Sequence, residues 1–119
     1  MNNEVVQYYV VNEDLNLAPG KLASQIAHAA TISTINMVSS KQARFPDYFE
    51  YYVEWYQSGM KKMILRGSEN ELETLVESGF YAVHEKGVTE VLNGKLSVVA
   101  LPPMPRLLSK RFVSQFKRY

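Results

Sequence analysis

The stretch Pro19-Gly20-Lys21-Leu22-Ala23-Ser24-Gln25-Ile26-Ala27-His28-Ala29-Ala30-Thr31 reads as a helix entered through a Pro-Gly turn. Its many small residues let it sit close against a sheet. Lys21, Gln25 and His28 fall at i, i+4 and i+7, which aligns three polar groups on one face. Leu22, Ile26, Ala30 and Met37 fall roughly opposite and are expected to form the core face. The helix should run from about Gly20 to Ser39. Ile32, Ile35 and Val38 make its second half apolar on more than one side, so that half should be well covered.

The segment before the helix is Val5-Val6-Gln7-Tyr8-Tyr9-Val10-Val11. An almost unbroken run of β-branched and aromatic residues is expected of a strand buried on both faces, hence a central one. Residues 12–20 form the loop between strand and helix. After the helix, residues 40–44 are a polar connection. Pro46 and Asp47 then open a second helix through Tyr56, with Glu50 placed for a capping box and Gly59 for the stop. Tyr48, Phe49, Tyr51, Tyr52, Trp55 and Tyr56 make this helix strongly aromatic. Core and dimer packing is the favoured reading of these residues over base stacking, because no basic residues accompany them.

Lys61 to Arg66 reads as a second strand. Ser68 and Glu71 make a capping box for a third helix with the apolar stripe Leu72, Leu75 and Val76, ended by Gly79. Phe80 to His84 and Lys95 to Leu101 read as strands three and four, joined by a loop with Gly87 and Gly94. The short link permits an antiparallel pair. Pro102, Pro103 and Pro105 should stop strand and helix alike. Arg106 to Lys117 should form a last amphipathic helix with Leu107, Leu108, Phe112 and Phe116 inward. The order β-α-α-β-α-β-β-α implies an α/β fold, a single domain over residues 1–119 with a mixed four-stranded sheet covered by helices.

The chain has 119 residues, no cysteine and a formal net charge of +1. Disulfides, thiolate chemistry and a Cys-based zinc site are excluded. No apolar run reaches the length of a membrane span. Met1-Asn2-Asn3-Glu4 lacks the basic and apolar regions of a signal peptide, so a cytoplasmic location is expected. Glu69, Glu71, Glu73 and Glu77 crowd one segment, and Arg106, Lys110, Arg111, Lys117 and Arg118 give a basic tail over residues 106–119. His28 and His84 are too few and too far apart in sequence to argue for a metal site.

Glu85-Lys86-Gly87-Val88-Thr89 ends a strand and can present an acid and a hydroxyl together. Nucleophile elbows, phosphate-loop lysine motifs and dinucleotide glycine patterns are missing. With these residues in view, the chain resembles the second, archaeal and eukaryotic type of peptidyl-tRNA hydrolase, a family that also has bacterial members. The resemblance begins in the first strand and runs through Asp14, Leu15, Leu17 and the Gly20-Lys21-x-Ala23-x-Gln25-x-x-His28-Ala29-Ala30 pattern. It resumes at Lys62 to Leu65 and at the Ser68–Glu71 helix start. It ends with Glu85-x-Gly87-x-Thr89-Glu90-Val91-x-x-Gly94-x-x-Ser97 to Leu101. The aromatic helix and the C-terminal tail stand outside the motif. Glu85 stands where the family usually has Asp, and Asn12 where it usually has Arg.

The resemblance implies cleavage of the ester joining a nascent peptide to the tRNA 3′ ribose, without metal or other cofactor. It places Lys21, Glu85 and Thr89 at the catalytic centre. Lys21 would stabilise the oxyanion or a phosphate near the tRNA end, and Glu85 would orient Lys21 or accept a proton from water. Gln25, His28, Gly20 and Gly87 would bind substrate, with His28 supporting from behind. Peptidyl-tRNA is the implied partner, with no membrane partner, and a homodimer is the family's habit. The alternative is a tRNA- or protein-binding module of the same fold without hydrolysis.

Overall fold

The computed structural model describes residues 3–39, 43–85 and 94–119. β1 (Val5–Asn12) is buried along its whole length, as its composition predicts. It lies inside a mixed sheet, parallel to β2 (Lys62–Gly67) and antiparallel to β4 (Lys95–Ala100). β3 (Tyr81–Glu85) pairs antiparallel with β4, as the short link predicts.

Among the described residues the sheet has six strands rather than the expected four. β5 (Met104–Pro105) pairs with the start of β1, and β6 (Lys117–Arg118) pairs with the outer edge of β2. The prolines do not forbid β5, because a two-residue ladder end can use Met104 and leave the missing Pro105 N–H unpaired. β6 forms because Phe116 packs where Gly67 has no side chain; a Cβ at Gly67 would lie 2.6 Å from the Phe116 ring. The last helix, α4 (Arg106–Val113), therefore stops short of the expected Lys117, and Leu107 is exposed rather than inward.

Helices cover both faces of the sheet. Val6, Tyr8 and Val10 of β1 pack with Leu72 and Leu75 of α3 (Glu69–Glu77) and with Val113 of α4. Tyr9 and Val11 pack with α1 (Pro19–Val38), and Val5 packs with Tyr52 and Trp55 of α2 (Phe49–Gln57). α3 starts with the expected capping box, Ser68 Oγ accepting from the Glu71 N–H and Glu71 Oε1 from the Ser68 N–H. The box expected at Asp47 and Glu50 does not form. Pro46–Tyr48 closes a 3₁₀ turn instead, which puts Asp47 inside the turn and leaves the start of α2 without a side-chain cap.

The buried line of α1 is Gln25, Ala29, Ser33 and Met37; Met37 is there as expected, whereas Leu22, Ile26 and Ala30 are not on it. Leu22, Ile26 and Ala30 flank it, partly buried. The rotation has a physical cause. Ala29 and Ser33 are small enough for the helix to approach the sheet closely, and both buried polar side chains find partners there. Gln7 Nε2 donates to Ser33 Oγ at 3.1 Å and to the Leu101 carbonyl at 3.0 Å, while Tyr9 donates to Gln7 Oε1 at 2.6 Å. Buried polar groups with partners cost little; without partners they cost about 1–3 kcal/mol each. Ile35 and Val38, expected to be covered, are exposed.

Candidate functional site

β1, β2 and β3 run in one direction, so Asn12, Gly67 and Glu85 all lie at the same end of the sheet. Open α/β sheets bind ligands at that carboxyl end. α1 starts there, after a loop braced by buried Asn12. Its Nδ2 donates to the Leu96 carbonyl at 2.7 Å and to Glu69 Oε1 at 3.2 Å, and its Oδ1 accepts from the Asp14 N–H at 2.9 Å. Asp14 in turn accepts from the Glu69 N–H at 3.0 Å. The loop is thus tied to the first turn of α3, which fixes where α1 begins.

A cleft of about 400 Å³ opens between α1 and β3. Lys21, Ser24, Gln25 and His28 form its helix wall, and Ala82, Val83 and His84 its strand wall. The three polar residues aligned by the sequence thus share one cavity. Lys21 and His28 are exposed at its wall and Gln25 is buried at its base. Gly20 is exposed in the first turn of α1, and a Cβ there would meet nothing within 4 Å. Packing therefore does not require a glycine at that position. The backbone of Glu85 ends β3 opposite Lys95, one residue past the cleft wall. Gly87 and Thr89 lie outside the described residues.

Two residues without a role in the sequence reading belong to this site. The pairing of β3 with β4 shifts between Val83 and His84, from Val83 opposite Val98 to His84 opposite Leu96. Ser97 is the residue left over, a β-bulge of the kind that redirects side chains. Its hydroxyl lies 2.7 Å from Gln25 Oε1 and 3.0 Å from the Val83 carbonyl. The hydroxyl thus ties the Gln25 side chain to the bulge. The second residue is His84, which the shift sets into the cleft wall. A lone serine among apolar strand residues is a weak sequence signal for such a bulge, and His84 gave none.

A larger hollow of about 580 Å³ adjoins at His84, lined by Glu69, Glu73, Glu77 and Lys95. Three carboxylates on one wall disfavour phosphate there. Among the described residues, no three His, Asp or Glu side chains are grouped to hold a metal.

The family model for peptidyl-tRNA hydrolase PTH2 matches residues 5–119. That match includes the aromatic helix and the C-terminal segment, which the sequence motif left outside. The chain is also similar to proteins named peptidyl-tRNA hydrolase from three organisms. It is 30% identical over 111 residues to that of Staphylothermus marinus, covering 87% of this chain and 86% of the relative. It is 29% identical over 120 residues to that of Thermococcus onnurineus, covering 93% and 94%. For Saccharolobus islandicus the identity is 26% over 108 residues, covering 83% and 86%.

Proposed function

The chain belongs to the peptidyl-tRNA hydrolase PTH2 family and hydrolyses peptidyl-tRNA, and on that premise we propose how its own residues divide the reaction. The observation that carries the reading is the convergence of Lys21, Gln25 and His28 with the end of β3 in one cleft. The bond cleaved is the ester between the peptide and the tRNA ribose. Water adds to the carbonyl carbon, the carbon–ribose oxygen bond breaks, and the ribose oxygen leaves with a proton. An activated ester of this kind needs a positioned water and a stabilised oxyanion, and neither a metal nor a covalent intermediate.

Lys21 supplies the positive charge for the oxyanion or for a phosphate beside it. Glu85 takes the proton from water or orients Lys21, and Thr89 and Gln25 hold water or substrate. The bulge at Ser97 supports the role of Gln25, because its hydroxyl holds the amide at the base of the cleft. His28 supports from the helix wall, and Gly20 and Gly87 allow backbone approach. The open space around Gly20 fits that use.

The reaction recycles tRNA from stalled translation in the cytoplasm. Among the described residues no helix is long and apolar enough to cross a membrane. The chain works as one domain, and two copies associate through the exposed apolar residues Ile35 and Val38 of α1 and Phe49, Val53 and Tyr56 of α2. Thr34 and Tyr52 join these two helices by a 2.6 Å hydrogen bond, so both present their residues on one side of the sheet. The family match does not favour a non-catalytic binding module.

The test is release of free tRNA from an N-blocked aminoacyl-tRNA. Lys21→Ala should lower turnover about 100- to 1000-fold, the scale of losing one oxyanion donor. Near-wild-type turnover in that variant would remove Lys21 from the centre. Glu85→Asp should keep activity and Glu85→Gln should lose it.

A further inference from the structure

We propose that the tRNA backbone docks on the open outer edge of the sheet, where Arg66 of β2 faces Lys117 of β6; this rests on the peptidyl-tRNA reading above.

Leu65 belongs to the core under α3 and α4, so strand alternation turns Arg66 to the other face. The register sets Lys117 directly opposite Arg66, on the same face. α1 lies over β3 and β4, and α2 over β1 and β5, which leaves this upper corner of β2 and β6 exposed. Like charges directly opposite each other destabilise a strand pair. Among the described residues neither cation is in an ion pair, although Glu13 and Glu71 line the same hollow. Glu71 Oε1 is held by the Ser68 N–H at the start of α3. Two carboxylates and two cations share the hollow without an ion pair between them, and the polyanionic backbone of the substrate offers the cations closer partners.

Position supports the same partner. Arg66 sits at the carboxyl end of β2, the end that carries the Lys21 cleft. From β3 to β6 the order is β3-β4-β1-β2-β6, so four strand spacings of ~4.8 Å separate them, roughly 19 Å. At about 3.4 Å per nucleotide of stacked strand, that span is on the order of five or six nucleotides. A strand whose ester end occupies the cleft therefore brings a nearby phosphate to this corner.

Basic residues near the other end of β1 and β2 are already engaged. Lys61 and Arg106 are bound to Glu4, and Lys62 lies over the Trp55 ring, all toward the opposite end of the sheet. Arg66 and Lys117, by contrast, stand at the substrate's end of the sheet.

The experiment compares wild type, Arg66→Gln/Lys117→Gln and Lys61→Gln/Lys62→Gln on two substrates. One is full-length N-acetyl-aminoacyl-tRNA; the other is the same N-acetyl-aminoacyl ester on a single 3′-terminal nucleotide. The Arg66/Lys117 variant should raise KM for the full-length substrate about 10-fold with kcat unchanged. Its log KM should depend less steeply on log salt, by roughly 1.4–1.8 for two lost phosphate contacts. Its rate on the short ester should match wild type, and the Lys61/Lys62 variant should match wild type on both. Unchanged KM and salt slope in the Arg66/Lys117 variant would overturn the proposal, as would an equal loss on the short ester. Arg66→Lys/Lys117→Arg should restore KM, and failure of that rescue in a folded variant also counts against it. A wild type that cleaves neither substrate would overturn the hydrolase reading itself, and the docking proposal with it.

Discussion

The two ends of the sheet spend their polar residues differently. At the end where β1 begins, charges neutralise one another. Glu4 bonds Lys61 at 3.1 Å and Arg106 at 2.9 Å, and these two cations hold its carboxyl below the usual carboxylate range. Lys62 sits 5.3 Å above the Trp55 ring, whose Nε1 donates to the Lys61 carbonyl at 2.7 Å. At the end where β1 finishes, polar side chains line a cleft and a hollow, and Arg66 and Lys117 face each other across the sheet edge. Groups that satisfy one another hold a fold together. Groups that line a cavity, or repel one another beside it, hold free energy available for a ligand.

The comparison is tested hardest by exchanging its lysines. Lys21→Ala should cost about 100- to 1000-fold in turnover with little change in melting, since Lys21 is exposed. Lys61→Ala should leave turnover within a factor of about two, because an exposed ion pair contributes little. Equal effects of the two variants would erase the difference between the ends.

Next in size is Gly67→Ala. The added Cβ meets the Phe116 ring at 2.6 Å, so either the ring or β6 must move. We expect a loss of about 1–3 kcal/mol, as for overpacking elsewhere, read from urea unfolding. Faster hydrogen exchange at Tyr119, whose N–H donates to the Ile64 carbonyl at 2.9 Å, should accompany it. Unchanged exchange there would mean that Phe116 yields without releasing the strand.

Ser97→Ala removes the hydroxyl on Gln25 Oε1, a bond of ordinary worth, about 0.5–1.5 kcal/mol. It should lower kcat/KM roughly 3- to 10-fold, and Ser97→Thr should recover part of the loss. A drop in melting temperature with kcat/KM unchanged would make the bulge purely structural.

The smallest effect concerns Tyr81. Burial pushes its hydroxyl pKa up to about 12, and among the described residues this hydroxyl is buried without a hydrogen-bond partner. The unfolded tyrosine ionises near pH 10, so between pH 10 and 12 the unfolded state loses its proton first. Stability from this group is therefore complete below pH 10 and falls as pH rises toward 12. Tyr9 and Tyr48, also raised by burial, act in the same direction. Tyr81→Phe should flatten part of that decline and leave neutral-pH stability equal or slightly higher, because it deletes an unsatisfied group. A clear destabilisation at pH 7 would show that the hydroxyl has a partner after all.

Much of this was legible in the sequence. The run from Val5 to Val11 marks a strand covered on both sides, and the Ser68–Glu71 pair marks the start of α3. The i, i+4, i+7 spacing puts Lys21, Gln25 and His28 on one wall of the cleft. Each of these depends on neighbours within a few residues. The less legible features depend on remote partners. Helical periodicity treats Gln25 and Ser33 as polar and therefore outward. They are buried because Ser97, 72 residues away, and Gln7, 26 residues away, meet them there.

Local periodicity, turns and caps were enough to read the longer strands and helices and the alignment of Lys21, Gln25 and His28 from the sequence, but not β5 or β6. The rotation of α1, the place of Ser97 in the β-bulge, and the approach of Lys117 to Arg66 through Phe116 over Gly67 were set by long-range packing. Those outcomes turn on which distant groups satisfy or exclude one another, and no short stretch of chain contains both partners.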